Sequence, residues 1–245
     1  MDNIVIKLEN IRFSYPGSDP VLEKLDFSLA RGNKKGLIGS NGSGKTTLFH
    51  IIMGLIKPSE GKIEILGDPA ENESDFRKIR HKVGFLFQNS DDQLFCPTVL
   101  EDVAFGPLNQ GKSNTEAKKI AEDTLEYLGL SGFEDRITYK LSGGEKRLVS
   151  LATVLSMNPE VLLLDEPTAG LDDKTKSTLI QILADLSLSC IIISHEFDFL
   201  KETTDKSYML KDRTIFLDDD LHMHQHVHAH LQGTAPHRHT EPFMF

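Results

Sequence analysis

The sequence predicts an α/β fold: a mostly parallel sheet, an antiparallel β side sheet and an inserted α-helical subdomain. Three observations carry this. Aliphatic runs of strand length alternate with segments of helical periodicity, the pattern of strands joined by crossover helices. Short strands precede Gly39 and supply the side sheet. From about Asn89 to Met157 helical patterns interrupt the alternation.

Ile4–Leu8 and Phe27–Ala30 read as strands, and Lys35–Ile38 as a short strand feeding a glycine-rich loop. Thr46–Met53 has helical periodicity and stops at Gly54. Lys62–Leu66 and Val83–Phe87 are strands. Ser113–Leu128 is a polar amphipathic helix ending near Gly129, and Leu148–Leu155 a helix closed by Asn158-Pro159. Val161–Leu164 is a continuous aliphatic strand between Pro159 and Pro167. Lys174–Leu186 is a helix and Cys190–Ser194 a buried strand. These divisions predict one domain over 1–220 and a histidine-rich tail over 221–245, expected to be disordered.

The chain has 245 residues, 39% hydrophobic and 26% charged, enough to bury a sizeable core. No apolar run is long enough to span a bilayer, and Met1–Leu8 lacks the features of a secretory signal. A cytoplasmic location is the default expectation, so membrane association must come through a partner. The net charge of −10, with no basic stripe, argues against nucleic acid. Cys96 and Cys190 lie far apart and read as reduced structural thiols.

Gly39-Ser40-Asn41-Gly42-Ser43-Gly44-Lys45-Thr46 fits G-x-x-x-x-G-K-[ST], between a predicted strand and a predicted helix. Glycines let successive N–H groups turn inward around phosphate oxygens, and the helix N-terminus favours the same anion. Lys45 adds positive charge near the β and γ phosphates, the Thr46 hydroxyl suits Mg²⁺, and Thr47 belongs to the same nucleotide-binding run. Far downstream, Val161-Leu162-Leu163-Leu164 ends in Asp165 and Glu166. A buried strand delivers this pair to the carboxyl edge of the sheet, where ligands bind in open α/β folds. Asp165 suits Mg²⁺ and Glu166 the polarisation of an attacking water. Alone, the pair would also read as a helix cap before Pro167 and Thr168.

Leu141-Ser142-Gly143-Gly144-Glu145 resembles the signature motif of ATP-binding-cassette (ABC) ATPases, and the other motifs follow in that family's order over roughly residues 3 to 217. The resemblance implies a P-loop NTPase core that binds ATP and Mg²⁺. It implies that Tyr15 stacks on adenine and Gln88 contacts Mg²⁺ and the attacking water. Ala169-Gly170-Leu171-Asp172 would form the loop that crosses to a partner subunit, and His195 would sense the γ-phosphate. Ser142, Gly143 and Gly144, leading into a helix near Glu145, make a second anion site. In the family two copies pair head-to-tail, so Ser142 of one caps the γ-phosphate held by Lys45 of the other. The family commonly places Gln-Arg after its signature; here Lys146 is followed by Arg147-Leu148, so no family role transfers to Arg147.

Phe87–Phe95 and Val99–Pro107 resemble the ATPase subunits of energy-coupling-factor importers, which take up cobalt, nickel or vitamins. In that group the region receives helices from a membrane subunit. The resemblance implies a peripheral ATPase at the cytoplasmic face of the membrane, partnered by integral transport subunits and a second, identical cassette. In the tail, His222, His224, His226, His228 and His230 alternate. An extended chain sets them on one face about 7 Å apart, whereas a helix would pair i with i+4. Either way neutral imidazoles favour Ni²⁺, Co²⁺, Zn²⁺ or Cu²⁺. Cobalt or nickel import is the expected function. A vitamin or other-substrate cassette and a soluble metal-storing ATPase are the rival readings.

Overall fold

The computed structural model describes residues 3–217, and the backbone of 225–228 and 237–240. The chain opens with β1 (Ile4–Ser14), β2 (Pro20–Ala30) and β3 (Lys34–Ile38). Next come α1 (Lys45–Ile52), β4 (Glu60–Ile65), β5 (Asp68–Pro69), α2 (Glu73–Arg80) and β6 (Val83–Leu86). Three long helices follow: α3 (Val99–Asn109), α4 (Asn114–Tyr127) and α5 (Gly143–Leu155). The chain then runs β7 (Val161–Asp165), α6 (Asp173–Asp185), β8 (Ser189–Ile193), α7 (Phe197–Thr203), β9 (Lys206–Lys211) and β10 (Thr214–Leu217).

The main sheet has the order β10-β9-β3-β8-β7-β6. It is parallel from β9 to β6, with β10 antiparallel at one edge. A second sheet, β2-β1-β4-β5, is antiparallel. This is the predicted α/β architecture with its side sheet.

Period-2 geometry divides the aliphatic strands between two apolar layers. Val161, Leu163, Ile191 and Ile193 face Leu48, Phe49 and Ile52 of α1 and the inner side of the side sheet. Leu162, Leu164, Cys190 and Ile192 face Val103, Ala121, Val149, Ala152 and Leu183. The inserted helices α3 to α5 therefore share one apolar layer with the main sheet. Gly84 lets α5 lie directly on β6, since a Cβ there would stand 2.3 Å from Val154 Cγ1.

β1 and β2 run longer than their apolar cores suggest, because each pairs along its whole length, from Ile4↔Ala30 to Ser14↔Pro20. The sequence carries no clear signal for α2, whose helix buries only Phe76 and Ile79 and is fixed by a reciprocal Asn72–Asp75 cap. In the tail, β11 (Gln225–His228) pairs antiparallel with β12 (His237–Thr240), setting His226 opposite His239 and His228 opposite His237. His222, His224 and His230 lie outside the described residues, as does most of the tail expected to be disordered.

Candidate nucleotide site

The loop Gly39–Gly44 joins β3 to α1. Gly39 holds φ +154°, and a Cβ there would meet the Leu210 carbonyl oxygen at 2.6 Å. The loop thus folds tightly onto β9. Lys45 Nζ donates to the carbonyls of Gly39 (2.7 Å) and Ser40 (3.0 Å), which holds the ammonium beneath the loop. Burial lowers the Lys45 pKa, opposed by the carboxylates of Glu166 and Asp165. Tyr15 leaves the end of β1 packed edge-on against Phe13, and its hydroxyl shares a 3.0 Å hydrogen bond with Thr47 Oγ1.

β6, β7 and β8 deliver the remaining groups, Gln88, Asp165 with Glu166, and His195. The Thr46 hydroxyl donates to Asp165 Oδ2 at 2.8 Å. Asp165 is buried, which raises its pKa, while the Thr46 bond and Lys45 pull it down. Glu166 stands in the left-handed region at φ 44°, a strained conformation for a residue with a side chain. Its N–H donates to Ile193 O at 2.9 Å, and its Oε2 accepts from the His195 N–H at 3.3 Å. Burial raises the Glu166 pKa, opposed by His195. Glu166 Oε1 lies 3.3 Å from His195 Nε2, but without hydrogen-bond alignment; this buried oxygen has no hydrogen-bond partner.

A cavity of about 650 Å³ gathers these side chains. Tyr15, Asn41, Gly42, Gly44, Lys45, Thr46, Thr47, Gln88, Asp165, Glu166 and His195 all line it. Gly39, Ser40 and Ser43 complete the loop without lining the cavity. Thr46, Asp165 and Gln88 offer a hydroxyl, a buried carboxylate and an amide, the hard oxygen donors that Mg²⁺ takes. Among the described residues no group of three or more His, Cys, Asp or Glu side chains is placed to hold a metal ion.

Ser142, Gly143 and Gly144 do not line this cavity. They form the start of α5, where Ser142 is the N-cap; Ser142 and Gly143 are exposed and Gly144 is half-buried beside Thr175. Ser142 Oγ accepts from the Glu145 N–H, and Glu145 Oε2 accepts from the Ser142 N–H at 2.8 Å. Asp172 caps α6 by accepting from the Thr175 N–H at 3.0 Å.

The sequence leaves Arg147 without a role, yet it is 2% exposed and bonded directly behind the site. Its guanidinium donates to the carbonyls of Pro167, Phe87, Asp165 and Glu166. Burial depresses its pKa to about 10. A lone buried-face arginine after a glycine-rich helix start is the only trace of this in the sequence.

Fold and site together define a nucleotide-hydrolysing enzyme built on a phosphate loop. The ABC transporter family profile matches residues 22–169. A protein of Nitratidesulfovibrio vulgaris, provisionally named an ABC transporter ATP-binding protein, is 50% identical over 97% of this chain and 87% of its own length. The energy-coupling factor transporter ATP-binding protein EcfA of Methanothermobacter thermautotrophicus is 42% identical over 84% of this chain and 68% of its own. The structure of cbiO1 from Clostridium perfringens, part of the ABC transporter complex cbiONQ, superposes with a TM-score of 0.80 at 33% identity, covering 89% of this chain and 88% of that one. The chain belongs to the ABC transporter family, among its ATP-hydrolysing subunits. Among the described residues no helix is long and apolar enough to cross a membrane.

Proposed function

We propose that this chain is the ATP-hydrolysing subunit of an energy-coupling-factor type importer of cobalt or nickel ions, held at the cytoplasmic face by integral membrane subunits. The observation that carries the hydrolytic reading is the convergence of Lys45, Thr46, Gln88, Asp165, Glu166 and His195 on one cavity. Lys45 and the loop N–H groups hold the phosphates, and Tyr15 takes the adenine ring. Mg²⁺ held by Thr46, Gln88 and Asp165 supplies charge neutralisation at the phosphate oxygens. Glu166, which lines the cavity, orients a water for in-line attack on the γ-phosphorus. His195, beside Glu166, holds the γ-phosphate. Ser142, Gly143 and Gly144 of a second, identical copy complete the charge stabilisation.

Two further features support the transporter reading. The Phe95 and Phe105 rings are 65% and 43% exposed and pack edge-on with centroids 4.8 Å apart. Such an apolar surface in the Phe87–Pro107 segment suits helices of a membrane subunit. The likeness to EcfA and cbiO1 favours the energy-coupling-factor class. His222, His224, His226, His228 and His230 bind Ni²⁺, Co²⁺ or Zn²⁺ weakly and exchangeably in this reading.

Glu166→Gln tests the hydrolytic role: it binds ATP, dimerises and barely turns over. Wild-type turnover by that variant removes the role. Metal uptake by the complete complex tests the cargo, and uptake indifferent to cobalt and nickel overturns it. Metal titration of the full chain against one ending at Asp220 tests the tail, with equal affinities counting against it.

A further inference from the structure

Arg147 carries a geometry that the hydrolytic reading does not use. Nε donates to Pro167 O at 2.9 Å, Nη2 to Asp165 O at 2.9 Å and to Glu166 O, and Nη1 to Phe87 O. A guanidinium spreads five N–H donors over three nitrogens and so reaches four carbonyls set around it, whereas an ammonium has three donors on one atom and cannot span them all. Three of those carbonyls bracket the strained Glu166, and the fourth immediately precedes Gln88. Two further links tie α5 to the same segment. Lys146 Nζ lies 2.5 Å from Asp91 Oδ1, and the Gln93 amide donates to Ser150 O and Thr153 Oγ1 at 3.0 Å each. The start of α5, the segment Phe87–Gln93 and the turn Asp165–Pro167 are therefore one hydrogen-bonded unit.

We propose that Arg147 is a positioning residue for hydrolysis, setting Glu166 and Gln88 in one geometry with the N-terminus of α5. This rests on the hydrolytic role proposed above for Glu166. Its consequence is that docking at Ser142 and alignment of Glu166 are a single adjustment: a tilt of α5 is carried through the guanidinium to the backbone of Glu166. The unit meets the phosphate-loop motif through the side-chain bond from Thr46 to Asp165, while Lys45 bonds within its own loop to Gly39 and Ser40, so loosening the unit is expected to affect hydrolysis more than nucleotide binding.

The test uses the full chain with Mg-ATP and four variants: Arg147→Lys, Arg147→Gln, Glu166→Gln and the double variant Arg147→Lys/Glu166→Gln. The expected result for Arg147→Lys is KM within about 3-fold of wild type and kcat lower by about 10- to 100-fold. In the Glu166→Gln background Arg147→Lys has no further effect on the residual rate, because the two act through one group. Wild-type kcat in Arg147→Lys overturns the proposal, as does an equal loss in both backgrounds. Loss of cooperative melting in both Arg147→Lys and Arg147→Gln also overturns it, since the residue would then serve stability alone. Wild-type turnover by Glu166→Gln removes the reading of Glu166 itself, whereas an inactive Glu166→Gln beside a fully active Arg147→Lys removes only this one.

Discussion

Replacing Glu145 with alanine removes the contacts that fasten the start of α5. Glu145 Oε2 accepts from the Ser142 N–H at 2.8 Å and from Ser142 Oγ at 2.9 Å, while Oε1 accepts from Arg136 at 2.7 Å. Arg136 and the Ser142 donors hold the Glu145 carboxyl down at about 2. The reciprocal cap contributes about 1 kcal/mol. The ion-pair side chains are 39% and 31% exposed, so solvent screening limits that contact to about 0.5 kcal/mol. Together these amount to about 1.5 kcal/mol, a fall in melting midpoint of about 3–6 °C for a chain of this size. Folding lowers the carboxyl from its ordinary 4.5, so the contribution is complete above that value and is lost as pH falls toward about 2. Thermal melting of wild type and Glu145→Ala checks this. The gap should be constant between about pH 7 and about pH 5 and narrower at about pH 3.5. No gap at neutral pH, or an undiminished gap in acid, contradicts this role for Glu145.

Tyr15→Ala should raise KM for ATP about 10-fold through lost stacking, whereas Tyr15→Phe, losing only the Thr47 bond, should stay within about 3-fold; steady-state ATPase kinetics separate them. Gly84→Val would press its Cβ against Val154 Cγ1 at 2.3 Å, and calorimetry should show a loss of about 3 kcal/mol or more. The Cys96 and Cys190 thiols, pushed up by burial to about 11 and about 12, should label slowly with iodoacetamide at about pH 8 and rapidly only after unfolding. Removing divalent cations with a chelator should weaken ATP binding at least about 10-fold, read by titration, because Asp165 and Glu166 then repel the phosphates with only Lys45 and His195 as basic groups lining the cavity.

How far the sequence discloses this site depends on whether a group acts through a contiguous backbone pattern. Gly39–Thr46 is legible because the glycines and Lys45 serve one turn. β7 is legible because an unbroken aliphatic run ending in Asp165-Glu166 fits a buried strand that carries carboxylates to the sheet edge. The convergence of Gln88 and His195 on the same cavity rests on parallel register, Leu86 beside Leu164 and Leu164 beside Ile192, which periodicity does not specify. Arg147 is illegible for a deeper reason. Its partners are carbonyls, which every residue owns, so no side-chain pattern elsewhere announces them. α2, β9 and β10 escape because short elements with few buried residues leave too small an apolar stripe.

The phosphate loop and the start of α5, the two anion sites of the proposed cycle, differ in their electrostatics, and that difference would give the proposed pairing of copies a physical direction. The phosphate loop faces Asp165 and Glu166 across its cavity, so a bound polyphosphate adds negative charge to a site that already holds one buried and one half-buried carboxyl. The start of α5 has the opposite need. It is exposed, an added Cβ at Gly143 would meet nothing within 4 Å, and the positive end of a 13-residue helix is answered there by Glu145 alone. Glu145 is also bonded to Arg136, which draws its charge away from the helix N–H groups. In the proposed cycle nucleotide loading therefore creates at the phosphate loop the anion that the start of α5 lacks, and the proposed second copy would bring the two together, since Ser142–Gly144 do not line the nucleotide cavity of their own chain.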